Sequence, residues 1–543
     1  MKKFLLISLA LIFVLSTAAV AEVQNVKVGG TIRIRAFSEE NRTDLSRGNI
    51  FPAPGVGEFF RWNPGSAVIP GDDVANQHWS DRNDWIEQLT DIYVEADLTD
   101  NVLVRITLEA CANWGSDSTS ASGAGIGTPT VTTGRAGTES WAIGVIEGWI
   151  QISELYYSPL SIKVGRQFLN YGTGFLISDK EAFWNFDAVK AVLDFYPWTI
   201  DLVYAKLAEN TTRYFQTRDD NANAVYNTRA DWNLYGINIA YAADFWNVEA
   251  YVFGTKNTSD EGAYAAGTAY TRYVNGTGFV DTAGRLSPTS IEPCVFGLRA
   301  DVRPIEQLDV WGEIVYEWGS AGSIIDWSDA GAANPSIPGA QADYTGSEIE
   351  LSAWAADCGA TYTFDWTWEP AFTLAYTYAS GEDNNVLETT DADGRRIRDW
   401  KTTTHAFYPL FGYDYSGYAF SPRVSNIHIF NAGLSLLPLE NVEIVLDYYH
   451  YAQVKNQQCE LGAAADLYPV VGNHWIDNGG VSAPTSGLNK DLGDEIDVVV
   501  NYDYSEDLSC QLVVAYFMPG SAFDATTGED EMIEVRGELQ VNF

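Results

Sequence analysis

The end of the chain alternates strictly between apolar and polar residues. The apolar positions are Ile533, Val535, Gly537, Leu539, Val541 and Phe543, and the polar positions are Glu534, Arg536, Glu538, Gln540 and Asn542. A period of two predicts a β-strand, because successive side chains of a strand point to opposite faces of the sheet. One face of this strand is therefore expected to meet an apolar environment and the other to meet water.

The same pattern occurs near the start of the chain. The residues Val26, Val28, Gly30, Ile32, Ile34 and Ala36 alternate with Lys27, Gly29, Thr31, Arg33 and Arg35. A shift of one residue would turn three cations toward the apolar side, at a cost on the order of 5–10 kcal/mol if that side were lipid. The cations must face water, so the pattern predicts a sheet closed around a polar lumen.

Further segments of roughly ten residues form pairs that are joined by short turns. These turns lie at 99–101, 158–159, 196–198, 243–244, near 304, at 365–370, 438–441 and 505–507. The pairs, together with the first and last strands, give about 18 strands, and this even number places both termini on the periplasmic side.

Long polar segments separate the pairs. They cover 38–88, 111–140, 206–231, 255–293, 318–349, 379–425 and 450–493, with shorter ones at 169–186 and 518–531. Their Gly, Asn, Asp, Ser and Thr content predicts loops. Aromatic residues such as Trp198 and Trp366 stand beside the short turns, where a membrane boundary suits them. The predicted fold is all-β, a transmembrane antiparallel β-barrel of about 18 strands with short periplasmic turns and long extracellular loops.

The first residues predict export from the cytoplasm. Lys2 and Lys3 precede an apolar stretch over residues 4–16, and Ala19-Val20-Ala21 fits a signal-peptidase site. The stretch is shorter than the ~20 residues of a membrane-spanning helix. We therefore expect a signal peptide over residues 1–21 and an outer-membrane β-barrel over residues 22–543. Its expected partners are outer-membrane lipid, lipopolysaccharide and the outer-membrane assembly machinery, for which the terminal Phe543 is the expected signal.

Composition excludes several classes of protein. The net charge of −41 argues against nucleic acid as a partner. Aromatic residues make up 13% of the chain while the mean hydropathy is only −0.13, a combination that suits strands of which one face meets lipid. The five cysteines are scattered without a CxxC pair, so they indicate neither a zinc site nor a disulfide framework.

The sequence offers little chemistry for catalysis. It has five histidines but no HExxH motif and no GxSxG motif, and the run Asp391-Ala392-Asp393-Gly394 lacks the rest of a calcium loop. The best candidate for a catalytic pair is His450 beside Asp447. The favoured interpretation of His450, however, is a residue at the membrane interface. We expect no catalytic residue, no metal and no cofactor.

Charged residues on the polar phase of the strands are candidates for lining a pore. They are Lys27, Arg33, Arg35, Glu95, Asp97, Arg105, Glu109, Arg299, Asp301, Glu313, Glu443, Asp447, Asp497, Arg536 and Glu538. About 18 strands enclose an open aqueous channel unless loops fold inward. Most of these charges are expected to hydrate the lumen rather than to form binding subsites.

Three motifs resemble the alginate-export family of outer-membrane porins. The first is Gly165-Arg166-Gln167, followed by Tyr171-Gly172-Thr173-Gly174 and by residues 184–189; the second runs from Leu492 to Asp497 and on through Tyr502 to residues 517–520; the third combines Phe407-Tyr408-Pro409 with Gly417-Tyr418. The resemblance implies an eighteen-stranded barrel that lets an anionic polysaccharide pass lumen arginines and lysines. It makes Arg166 a pore-lining residue by motif, and Lys163 and Lys190 join it by phase alone.

The charge of the chain departs from what the resemblance implies. A net charge of −41 repels a polyuronate at the channel mouth, with screening over about 8–10 Å at physiological salt. The expected function is therefore passive diffusion of small hydrophilic or charged solutes, as in a porin or ion channel, with an oligo- or polysaccharide as a further solute. The alternatives are an outer-membrane hydrolase and a structural or adhesive barrel.

Overall fold

The computed structural model describes residues 25–41, 82–114, 142–179, 185–209, 231–257, 270–274, 277–281, 291–325, 346–381, 386–390, 396–400, 403–412, 416–422, 424–455, 490–522 and 531–543. The predicted signal peptide, residues 1–21, and the acidic run at 391–394 lie outside these residues. No helix within the described segments is both long enough and apolar enough to cross a membrane.

The described residues form 23 strands, of which nineteen share one sheet. Their bounds are β1 (Asn25–Glu40), β2 (Arg82–Thr99), β3 (Val102–Asn113), β4 (Ala142–Ile152), β5 (Leu160–Phe168), β6 (Asn185–Phe195), β7 (Trp198–Glu209), β8 (Asp231–Ala242), β9 (Trp246–Asn257), β10 (Tyr270–Val274), β11 (Thr277–Asp281), β12 (Ile291–Ile305), β13 (Leu308–Ile325), β14 (Gly346–Thr363), β15 (Ala371–Ala379), β16 (Val386–Thr390), β17 (Arg396–Trp400), β18 (Thr403–Thr404), β19 (Ile427–Leu439), β20 (Val442–Gln453), β21 (Asp491–Asp503), β22 (Leu508–Pro519) and β23 (Met532–Asn542).

Eighteen of these strands form the wall of a closed antiparallel barrel. They are β1–β9, β12–β15 and β19–β23, and each pairs with the strand before and after it in the chain. The pairs β10–β11 and β16–β17 form separate two-stranded sheets, and the two residues of β18 pair in parallel with β14. The predicted architecture and strand number are confirmed.

The barrel closes between its first and last strands. Thr31 of β1 lies opposite Asn542 of β23, and the pairing continues to Glu40 opposite Ile533. Two backbone hydrogen bonds extend it, from Gly30 N to Phe543 O at 2.9 Å and from Phe543 N to Gly30 O at 3.0 Å. Because both edges are paired here, the sheet has no open edge at this seam.

The two faces of the wall follow the alternation predicted from the sequence. Apolar residues of one phase are exposed on the outside, as Val28 (65%) and Ile150 (52%) show. Charged residues of the other phase point inward and pair with one another across strands, as Lys27 does with Glu95 at 3.2 Å. This distribution is stable only with lipid outside and water inside, as expected for a barrel of the outer membrane.

Aromatic rings lie over glycines on the inner wall. In each case the glycine and the aromatic residue are direct cross-strand partners, namely Gly29 and Tyr93, Gly236 and Phe253, Gly297 and Tyr251, and Gly359 and Trp311. A Cβ atom built on Gly236 would stand 2.0 Å from Phe253 Cδ1. The missing side chain is therefore what lets the ring lie close to the wall.

An apolar core of the described residues lies inside the barrel. Two connections fold inward there: the first inward loop (residues 169–179) and the second inward loop (described residues 403–412, 416–422 and 424–426). Their apolar side chains pack on inward-facing wall residues that are often small, such as Ala188, Ala205, Ala353, Ala355 and Ala379. Alanines at these positions leave the space that the loops occupy.

Candidate pore and its inward loops

The two inward loops contact each other inside the barrel. Ser178 N donates to Phe411 O at 3.1 Å, and Phe411 N donates to Leu176 O at 2.8 Å. Next to these bonds, the Phe411 ring meets that of Phe186 edge to face, with centroids 5.4 Å apart. The loops therefore form one joined body rather than two independent flaps.

Charged wall residues hold the first inward loop through its backbone. Thr173 N donates to Glu313 Oε2 at 2.6 Å, and Gly172 N donates to Glu249 Oε1 at 3.2 Å. Arg299 donates in turn to the carbonyl of Gly172. We call Glu249, Glu313 and Arg299 the first loop anchor. Gly172 has φ +64°, and a Cβ there would stand 2.2 Å from Glu313 Oε1, so this anchor requires a glycine.

Tyr171 adds a side-chain contact to the same loop. Its hydroxyl donates to Asp201 Oδ2 at 3.2 Å, and Lys190 Nζ lies 2.7 Å from the same oxygen. Burial, together with the negative charge of Asp201, raises the pKa of the Tyr171 phenol. The phenol therefore remains a hydrogen-bond donor to the wall.

A second group of wall residues holds the second inward loop. Glu495 accepts hydrogen bonds from Ala419 N at 2.7 Å and Phe420 N at 3.1 Å, and Tyr418 N donates to Asp497 Oδ2 at 3.2 Å. Tyr451 OH donates to Glu495 at 3.1 Å and also contacts Ser416 O at 2.6 Å. We call Glu495, Asp497 and Tyr451 the second loop anchor. Carboxylates suit this role because each one accepts several backbone N–H groups.

The three motifs that carry the family resemblance meet in these anchors. Tyr171–Gly174 is the part of the first inward loop that Glu313 and Glu249 hold, and Gly417-Tyr418 leads into the segment that Glu495 and Asp497 hold. In addition, Tyr408 N donates to Glu317 Oε2 at 2.8 Å. Residues far apart in the sequence therefore build one structure, the inward body of the lumen.

The wall opposite this body carries a network of charges. Arg105 lies 3.0 Å from Glu147 and 3.6 Å from Glu95, and its guanidinium stands 4.2 Å from the centre of the Tyr93 ring. Lys163 Nζ lies 3.9 Å from the centre of the Trp149 ring. Nearer the seam of the barrel, Arg35 pairs with Glu538 at 2.8 Å.

All of the predicted pore-lining residues except Arg166 lie on the face of the strands that points into the lumen. Those that face inward are Lys27, Arg33, Arg35, Glu95, Asp97, Arg105, Glu109, Lys163, Arg299, Asp301, Glu313, Glu443, Asp447, Asp497, Arg536 and Glu538. The predicted lumen partner Lys190 also faces inward, beside Asp201. Among these, Glu313, Asp497 and Arg299 hold the loops, a role that the strand pattern does not reveal.

The prediction for Arg166 is wrong. Arg166 shares its face of β5 with Val164, which is exposed on the outer surface. Its guanidinium donates to both carboxylate oxygens of Asp187, at 2.9 and 3.1 Å, and to Val145 O at 3.2 Å. The motif match does not say which face of the strand Arg166 occupies, whereas the alternation along β5 does. Lys163 and Gly165 point inward, so Arg166 points outward.

His450 and Asp447 do not form a pair. His450 lies on the outward phase with Tyr448, and its Nδ1 contacts Asp494 Oδ1 at 2.9 Å. Tyr448 OH donates to the same oxygen at 2.6 Å. Asp447 points the other way and accepts a hydrogen bond from Asn431 at 3.1 Å. Across the described part of the chain, no group of three or more His, Cys, Asp or Glu side chains is arranged to hold a metal ion.

One comparison with known proteins identifies a family. The sequence matches the family described as "Alginate export" over residues 139–534. No curated protein sequence matches the chain. Among solved structures, the chain is similar to OccAB3 of Acinetobacter baumannii (9% identity, TM-score 0.47, covering 96% of this chain and 100% of that chain) and to OpdK of Pseudomonas aeruginosa with vanillate (10% identity, TM-score 0.46, covering 96% and 99%).

The family match and the barrel agree in extent. Residues 139–534 cover well over half of the chain and run from just before β4 into β23. They include both inward loops and all the residues of both loop anchors. The protein therefore belongs to the alginate export family and is a channel of the outer membrane.

Proposed function

We propose that small hydrophilic solutes cross this barrel passively, between the inward loops and the inner wall of β1–β5. The observation that carries the proposal is the one-sided packing of the loops. Among the described residues, the apolar core that surrounds them draws on β6–β9, β12–β15 and β19–β23 but on none of β1–β5. The inner face of β1–β5 is left with charged residues, which suit a hydrated path.

The charges along this wall suit solutes of either sign. Lys27, Glu95, Arg105 and Glu147 form a continuous chain of ion pairs at separations of 3.0–3.6 Å. Arg105 remains 28% exposed and Lys27 remains 59% exposed, so both are accessible to a passing solute. Neighbouring donors and acceptors can exchange hydrogen bonds with a hydrated solute without trapping it.

We favour small solutes over a polyuronate, although the family is named for alginate export. The net charge of −41 opposes the entry of a polyanion. Two of the inward cations at the wall are also already matched by carboxylates, Arg35 by Glu538 and Arg105 by Glu147. A polyanion would have to displace these partners.

We also propose that the barrel has no catalytic step of its own. The described histidines have structural contacts: His428 Nδ1 lies 2.7 Å from Tyr376 OH, and His405 Nδ1 lies 2.7 Å from Ser352 O. His450 is bonded to Asp494 on the outer face. These contacts favour the channel over the hydrolase alternative.

Single-channel recording in a planar bilayer tests the proposed path, with Arg105→Ala and Arg166→Ala as a matched pair. Both variants remove one guanidinium, but Arg105 faces the path whereas Arg166 faces outward. We expect stepwise currents for the wild type, and in a salt gradient a reversal potential that shifts toward cation selectivity in Arg105→Ala only.

Three outcomes would contradict the proposal. One is an absence of current steps from protein that shows the mobility of a folded barrel in an unboiled gel. Another is an equal shift of the reversal potential in both variants, which would show that the path does not pass Arg105. The third is block of the current by an oligouronate at lower concentrations than by a neutral sugar of the same length, which would favour a polyuronate.

A further inference from the structure

A cavity of about 880 Å³ opens on the inner wall at the periplasmic side of the first inward loop. Thr173 of that loop bounds it above, and the short turn at residues 243–246 bounds it below. Strands β12, β13 and β14 provide its back wall through Arg299, Trp311 and Asp357. The volume falls within the roughly 300–1,000 Å³ of small-molecule binding sites.

Trp311 lies flat against the wall of this cavity. A Cβ built on its cross-strand partner Gly359 would stand 2.2 Å from Cζ2, 2.6 Å from Cη2 and 2.8 Å from Cε2 of the indole. These nearly equal distances place the glycine above the face of the ring, not beside its edge. The opposite face of the indole is therefore turned toward the cavity.

Hydrogen bonds fix the orientation of this ring. Trp311 Nε1 donates to Asp357 Oδ2 at 3.3 Å, and Thr377 Oγ1 donates to Asp357 Oδ1 at 2.6 Å. Asp357 is thereby held in place, and with it the plane of the indole. A ring fixed before a ligand arrives binds with a smaller loss of conformational entropy.

Polar groups of both kinds line the same cavity as the ring. Arg299 donates to both oxygens of Asp301, at 2.8 and 2.7 Å, and Arg303 lies 2.5 Å from Asp309. Acceptors and donors therefore share the cavity with an aromatic ring. This arrangement fits a sugar, whose apolar C–H face stacks on an aromatic ring while its hydroxyls both donate and accept hydrogen bonds.

The charge of the lining selects among sugars. The cavity is lined by four acids, Asp244, Asp301, Asp309 and Asp357, and by two arginines, Arg299 and Arg303. The excess of carboxylates disfavours a uronate. The pairing of Asp301 and Asp309 with arginines also weakens the attraction for an organic cation.

We infer that this cavity is a binding site for an uncharged oligosaccharide, with Trp311 as the stacking surface. The inference rests on the proposed function, because the site on β12–β14 opens into the lumen from which solutes are proposed to enter the path along β1–β5. It adds to that function the class of solute that stays bound in the channel longest, an uncharged oligosaccharide. Trp311 acts here as a binding residue, while Asp357 and Gly359 position its ring.

The test is block of the single-channel current by maltotriose added on the periplasmic side. We compare the wild type with Trp311→Ala, Trp311→Phe and, as a control, Trp366→Ala, which removes an exposed indole from a periplasmic turn. We expect the apparent Kd for maltotriose to rise about 3- to 10-fold in Trp311→Ala, and less in Trp311→Phe, because a stacked aromatic contact is lost. Trp366→Ala should match the wild type.

Currents in KCl alone separate this inference from the proposed function. If the folded wild type conducts no ions, the proposed function fails. If it conducts ions but maltotriose blocks the wild type and Trp311→Ala equally, or blocks neither, only the sugar site is overturned. Stronger block by a triuronate or by tetraethylammonium than by maltotriose would also overturn the assignment to an uncharged sugar.

Discussion

At the scale of single residues, the inner wall depends on pairs in which a glycine receives the ring of its cross-strand partner. Phe253 and Tyr251 are fully buried, and their rings lie over Gly236 and Gly297 on the neighbouring strands. These pairs let large aromatic residues stay close to the wall, where they support the inward loops. Elsewhere in the barrel, a Cβ atom built on Gly537 would meet only open space.

This contrast predicts opposite effects for the same substitution. Gly236→Ala should lower the free energy of unfolding by about 1–3 kcal/mol, because the new methyl overlaps the Phe253 ring. Gly537→Ala should leave it unchanged or raise it by up to about 1 kcal/mol, because alanine loses less backbone entropy than glycine. Urea titration of the folded band in unboiled gels measures both. Equal stability of the two variants would contradict this account of the pairs.

The phase of individual residues was largely predictable from the sequence. Alternation placed Lys27, Arg105 and Asp497 on the inner face without knowledge of the fold, because lipid outside and water inside impose a strict period of two. Arg166 was misplaced because it was assigned from a motif, which carries no phase. The glycine–aromatic pairs were not predictable, since they depend on the register between strands.

At the scale of elements, the inward loops are held mainly by wall groups that bond to loop backbone. Glu313 accepts from Thr173 N, and Glu495 accepts from Ala419 N and Phe420 N. Removing one of these carboxylates leaves buried N–H groups without their acceptors, at about 1–3 kcal/mol for each group. The anchors therefore set how often the loops leave the lumen.

We expect Glu313→Ala and Glu495→Ala each to increase the occupancy of a high-conductance level. The double variant should deviate from additivity by about 0.5–3 kcal/mol in the free energy of loop opening, because the loops are bonded to each other through Phe411. The occupancy of current levels in single-channel records measures this. Glu440→Ala, in an exposed periplasmic turn, is the control. Strict additivity would show that the loops move independently.

The sequence did not predict that these loops fold into the lumen, because the sequence of a loop has no periodic pattern of apolar and polar residues. The anchors join residues that are 35 to 140 positions apart, as Ser416 and Tyr451 or Thr173 and Glu313 are. A signal was nevertheless present on the strands. Near their extracellular ends both phases are apolar, as in β22, where Val513, Ala515 and Phe517 face inward and are buried. Apolar residues on the inner face indicate that something other than water covers them.

At the scale of the whole molecule, the barrel depends on the seam between its first and last strands. β1 and β23 are separated by nearly the full length of the chain, yet they pair over ten residues. The backbone of Phe543 extends this seam by two hydrogen bonds with Gly30. Its side chain is 60% exposed, so it adds little to the packing of the folded barrel.

This exposure predicts a defect in assembly rather than in stability. Phe543→Ala should reduce the amount of protein in the outer membrane severalfold, because the terminal aromatic residue is the expected assembly signal. The same variant, refolded in detergent micelles, should keep a urea midpoint close to that of the wild type, since its backbone bonds to Gly30 do not need the ring. A normal level in the membrane, or a large loss of stability in micelles, would contradict this prediction.

The use of main-chain donors in the loop anchors bears on how this barrel can diversify. Amide groups are common to every residue but proline, so most substitutions at Thr173, which is only partly buried, leave its bond to Glu313 available. A lineage can thus exchange this loop side chain, and with it the preference for cargo, while the scaffold that positions the loop is inherited intact. For protein engineering, Thr173 offers a way to retune transport without redesigning the wall.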